Sequence, residues 1–147
     1  MYRFKRTVGF CAIVVSAIFI VVIIALSWKP SPSLITLPLL PIALLKWADL
    51  EVNANLRTAV PFVGLGMATC LILLLRKAKA KHYTIACLAC LLFLTIVELF
   101  QIYIPLRHAD MGDVGWGILG FLFGISLTWL VYQLLFFLWR RKNKQQE

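Results

Sequence analysis

The stretch Glu98-Leu-Phe-Gln101-Ile-Tyr-Ile-Pro105-Leu-Arg107-His-Ala-Asp110-Met-Gly-Asp113 closes one long apolar run and opens the next. Upstream, Tyr83 to Ile104 contains a single charge, Glu98; downstream, Val114 to Trp139 contains none. A hydrocarbon core of about 30 Å takes about 20 apolar residues as helix, because lipid offers backbone N–H and C=O groups no partner outside the segment. Both runs are long enough to cross. A carboxylate within such a run costs at least about 2.5 kcal/mol, so it faces the bundle interior and has a partner or a task.

Working outward, Val8 to Trp28 and Thr58 to Leu75 are also uncharged, which places spans at about 8–28, 58–75, 83–104 and 114–139. The predicted fold is all-α, a polytopic membrane protein with four transmembrane helices in a single domain over residues 1–147. Composition agrees: 62% of the 147 residues are hydrophobic and 14% charged, which excludes a water-soluble domain of this size. The first span has a competing reading as a secretory signal, since Ala25-Leu-Ser27 resembles a small-residue cleavage site. Its uncharged run exceeds the usual signal core of about 7–15 residues, so a retained anchor is expected.

Lys and Arg set the orientation. Arg3, Lys5 and Arg6 precede the first span, Arg76, Lys77, Lys79 and Lys81 fill the second loop, and Arg140, Arg141, Lys142 and Lys144 follow the last span. The opposite side holds only Lys29, Lys46, Arg57 and Arg107. The positive-inside rule then makes both termini cytoplasmic. The net charge of +9 is accounted for by basic residues at helix ends, where they meet anionic lipid heads, so no nucleic-acid partner is expected.

Between the first two spans, Pro30, Pro32, Pro38 and Pro41 break an apolar run from Leu34 to Leu45 that is too short to cross. This Pro-rich first outer loop is expected to be interfacial or re-entrant. Ile42 to Leu50 would form a short interfacial helix with Trp47 at headgroup level and Lys46 and Asp49 toward water. Pro61 is expected in the first turn of the second helix, where its missing N–H does no harm. Cys87 and Cys90 have the CxxC spacing of a metal or redox pair, but with no second pair or histidine cluster they read, like Cys11 and Cys70, as small packing residues.

Glu98 and Gln101 are three apart and share a helix face, with Glu98 about 10 Å of helix rise below Pro105. After Pro105 the chain turns through Arg107, His108, Asp110 and Asp113. Gly117, Gly120, Gly124 and Thr128 then fall on one face of the last helix, and small residues there let another backbone come close in lipid. The simplest packing makes the third and fourth spans an antiparallel hairpin with Glu98, Gln101, Arg107, Asp110 and Asp113 at its outer end. Bland roles compete with functional ones. Asp110 can be the N-cap of the fourth helix with Asp113 favoured by its dipole, and Arg107 can simply pair with an aspartate. His108 and His82 read as interfacial residues, and Asp110 and Asp113 alone make a thin metal site, so no metal or other cofactor is expected.

The run Glu98-x-x-Gln101, Pro105-x-Arg107-x-x-Asp110-x-x-Asp113, Gly120-x-x-x-Gly124 resembles the signature of the VanZ-like family of small bacterial membrane proteins, and Asn55 ahead of Pro61-Phe62 is similar to that family's entry into the second helix. The resemblance spans about Asn55 to Gly124. Departures are Gly117 where the family usually has Asn, Val63 before Gly64 where Gly directly follows Pro-Phe, and a first outer loop without the family's His-containing segment. The resemblance implies a cell-envelope role in the bacterial cytoplasmic (inner) membrane, with lowered sensitivity to teicoplanin-type glycopeptides.

Two functions are weighed. In the first, Glu98, Gln101, Arg107, Asp110 and Asp113 bind a lipid-linked glycan or lipopeptide at the outer leaflet, with Arg107 on a phosphate or carboxylate. The second is an intramembrane enzyme acting on a polyprenyl phosphate or glycolipid, with Glu98 as general base and Asp110 and Asp113 holding a divalent cation. Lacking a convincing nucleophile, the sequence favours binding; a proton-coupled carrier is weaker with four helices per chain. Expected partners are membrane lipids and a lipid-linked envelope precursor, with a homo-oligomer left open.

Overall fold

A computed structural model describes residues 2–30, 33–34, 41–105, 107 and 109–144. The described residues form helices α1 (Tyr2–Ser27), α2 (Ile42–Ala48), α3 (Ala54–Leu75), α4 (Ala80–Gln101) and α5 (Met111–Lys144), with a 3-10 turn at Glu51–Asn53 before α3. α1, α3, α4 and α5 are long and apolar enough to cross a membrane. The chain is a multi-pass membrane protein.

The helices begin earlier than the uncharged runs, because flanking polar residues continue the same backbone hydrogen bonding. α3 starts at Ala54 rather than Thr58, which moves Pro61 from the expected first turn into the helix interior. There it gives no N–H to the carbonyl of Arg57, four residues back. α4 stops short of Ile104: Ile102, Tyr103 and Ile104 donate to the carbonyls three residues back, a tightened last turn before Pro105.

α4 and α5 do meet at the Glu98 end as expected, but the tightest packing gives the small face of α5 another neighbour. α5 lies chiefly against α3, and the two run parallel: a Cβ on Gly120 would collide with the carbonyl oxygen of Ala59, and one on Gly124 with that of Val63. Backbone meets backbone here, as small residues on one face permit in lipid. Gly117 alone faces α4, against the flexible side chain of Leu94. The sequence marked the small face of α5 but carried nothing to say which neighbour it would meet.

Ile23, Phe62, Leu65, Cys90, Leu94, Val114 and Phe121 form the core and draw on all four spanning helices. Cys87 and Cys90 are unbonded thiols beside or within this cluster. From Trp129 to Asn143 every residue of α5 is exposed, so the end of this 34-residue helix stands clear of its neighbours. Tyr132, Phe136 and Trp139 stack along it, and Arg140 and Arg141 lie 4.5 Å above the rings of Phe136 and Phe137.

α3 ends in a Schellman turn: Lys77 N–H donates to Leu74 and Ala78 N–H to Leu73. The residue that must be left-handed is Lys77, at φ 51°, where glycine is usual and a side chain costs about 1 kcal/mol. In the first loop, most of the Pro-rich run, including Pro32 and Pro38, lies outside the described residues. α2 forms as expected with Lys46 and Trp47 exposed, but Asp49 does not face water. Its carboxylate accepts the Ser33 hydroxyl (2.6 Å) and the Leu34 N–H (2.8 Å) and lies 3.7 Å from Arg57, tying the described part of the loop to α3.

Candidate functional site

One end of the bundle gathers the polar residues that the apolar spans otherwise lack. Glu98 and Gln101, near the end of α4, are 5% and 4% exposed, and this burial is sustained by hydrogen bonds. The Gln101 amide donates to Glu98 Oε2 at 2.9 Å, and the backbone N–H of Asp110 donates to Oε1 at 2.7 Å. Glu98 therefore clasps the chain that enters α5. The i, i+3 spacing made the Gln101 contact legible; the reach to Asp110 depends on the fold of the turn after Pro105.

Asp110 is the N-cap: its side chain accepts the Gly112 N–H at 2.7 Å and its carbonyl the Asp113 N–H at 3.0 Å. Asp113, in the first turn of α5, accepts the Thr58 hydroxyl of α3 at 2.7 Å. Arg107 pairs with neither aspartate. Its Nε donates to the carbonyl of Lys29 (3.0 Å), two residues past α1, and an Nη to that of Leu26 (3.2 Å), in the last turn of α1, satisfying carbonyls that no helical N–H reaches. Burial, and then the charge of Arg57, hold the Arg107 guanidinium below its ordinary pKa, while Asp113 and Glu98 act the other way. An arginine stays cationic through such a shift.

These residues enclose a pocket of about 70 Å³ lined by Arg57, Thr58, Glu98, Gln101, Arg107 and Asp113, with Ile23, Leu26, Phe62, Leu94 and Val97 among its apolar walls. At about 30 Å³ of liquid per water, that is room for a few waters or one compact polar group. Asp110 is exposed and does not line it. His108 lies outside the described residues, and His82 is an exposed residue at the far end of α4, its ring 3.3 Å from the Lys79 carbonyl. Among the described residues, no three of His, Cys, Asp and Glu cluster as metal ligands.

Sequence reasoning missed Arg57, Thr58 and the C-terminal turn of α1. Arg57 is one of few cations at this end, a signal that was available. Thr58 looked like the mere start of a span, and the α1 carbonyls have no signature in side chains. The chain matches no protein-family model, no curated protein and no solved structure.

Proposed function

We propose that this pocket binds the polar headgroup of a lipid-linked glycan or lipopeptide in the outer leaflet of a bacterial cytoplasmic membrane, in an envelope-protecting role like that of VanZ-like proteins. The supporting observation is that Arg57 and Arg107 line one small pocket together, Arg107 being held in place by α1 carbonyls rather than neutralised by a carboxylate. Guanidinium groups so placed suit phosphate or carboxylate oxygens, while Glu98 and Asp113 add acceptors for sugar hydroxyls. The pocket's size limits the contact to part of a headgroup, with the remainder and the acyl or prenyl chains outside it. In this reading both termini are cytoplasmic, as the basic residues imply.

Binding is favoured over the enzyme because the candidate catalytic groups already hold the fold together. Both oxygens of Glu98 accept hydrogen bonds, and the carboxylates of Asp110 and Asp113 serve Gly112 and Thr58. The test is physiological: in cells lacking the native gene, Glu98→Gln and Arg107→Lys should accumulate normally yet fail to restore resistance to envelope stress and glycopeptides. Full restoration by both variants contradicts the proposal.

A further inference from the structure

At the other end of the bundle, α1 and α3 line a groove of about 550 Å³, within the about 300–1,000 Å³ of typical ligand sites. Its apolar part is formed by Phe10, Ile72 and Leu75 beside Gly9, and Arg6 and Arg76 stand on it. Gly9 leaves the space open, since a Cβ there would meet only Leu75 Cδ1, at 3.9 Å. Both arginines are exposed. Asp49, Glu98, Asp110 and Asp113 all lie at the opposite end, so no described carboxylate is at hand to pair with either.

We infer that this groove is a binding site for an anionic phospholipid, whose phosphate is held by Arg6 and Arg76 while an acyl chain runs along the apolar floor. Charge complementarity carries the inference: Arg6 and Arg76, with no described carboxylate beside them, flank a groove whose floor is Phe10, Ile72 and Leu75, the arrangement by which basic pockets between spanning helices take acidic headgroups. The site is independent of the polar pocket at the other end.

The test uses the full chain purified in mild detergent, with dioleoyl phosphatidylglycerol and dioleoyl phosphatidylcholine as probes and native mass spectrometry as readout. The wild-type protein should retain phosphatidylglycerol preferentially, and Arg6→Gln with Arg76→Gln should lower that retention by about tenfold, given the attraction of each basic residue for an anionic surface. Lys79→Gln with Lys81→Gln removes the same charge from the same end, but neither lysine lines the groove and exposed charges away from it are screened by salt, so retention should change by less than about twofold. Gly9→Leu fills the groove with both arginines intact and should also release the lipid; this arm decides the matter if the arginine variant folds poorly. Equal retention of the two lipids, an equal loss in the lysine variant, or full retention by Gly9→Leu would each overturn the site.

Discussion

Thr58 and Asp113, near the starts of two spanning helices and 55 positions apart, are joined by a hydrogen bond of 2.7 Å. The bond joins the starts of α3 and α5, and the same two helices meet again deeper in the bundle, where Gly120 lies against Ala59 and Gly124 against Val63, about two and three turns along α5 from Asp113. The same bond holds Asp113 at the wall of the polar pocket, so packing and site share one structural element.

Replacing Thr58 by Val keeps the shape and removes the donor, leaving a carboxylate short of a partner. A hydrogen bond to a charged group is worth about 1.5–3 kcal/mol, so Thr58→Val should lower thermal stability in detergent by roughly that amount. An unchanged melting temperature would mean that water replaces the hydroxyl without loss.

The glycines should separate by what lies opposite them. Gly120→Leu and Gly124→Leu must push two backbones apart and should reduce accumulation in the membrane, whereas Gly115, with nothing within 4 Å of a Cβ, should accept Ala freely. Cys87→Ala with Cys90→Ala should accumulate normally, the thiols being packing groups. Immunoblots of membrane fractions give the comparison, and loss of function in a well-expressed cysteine variant would restore the CxxC reading.

Orientation is open to direct labelling. A reporter fused after Glu147 should register as cytoplasmic and one inserted near Ser33 as external, because Lys and Arg crowd the other side of the bundle. External labelling of a cysteine placed at Lys79 would invert the topology and move the polar pocket to the inner leaflet.

Glu98→Gln and Glu98→Leu test whether the clasp is made by hydrogen bonds or by charge. A glutamine at this position can still accept from the Asp110 N–H and, with Gln101 turned over, donate to its carbonyl oxygen, so stability should fall by less than about 1 kcal/mol. Leucine strands the Gln101 amide and the Asp110 N–H, at about 1–3 kcal/mol for each buried group left unsatisfied. Equal melting temperatures for the two variants would show that the clasp contributes little.

How much of this could be read from the sequence depends on the distance over which each interaction acts. Span number and approximate limits come from runs of apolar residues, and the Glu98–Gln101 pair from helical spacing; both are local. The parallel contact of α3 with α5, the capping of α1 by Arg107 across 81 positions at Leu26, and the capture of the loop by Asp49 are long-range choices among chemically equivalent partners. Asp49 illustrates the limit. On a short amphipathic helix it reads as a solvent-facing charge, and only the fold brings Ser33, Leu34 and Arg57 around it.

The central claim is that Arg57 and Arg107 together hold an anionic headgroup, and mass spectrometry of lipids that co-purify with the full chain in mild detergent tests it most directly. The wild-type protein, and the variant carrying Arg6→Gln with Arg76→Gln, should retain a polyprenyl phosphate or glycolipid that is lost from well-folded Arg57→Gln and Arg107→Lys. Retention of the same lipid by all four proteins, or of none by the wild type, would contradict the account.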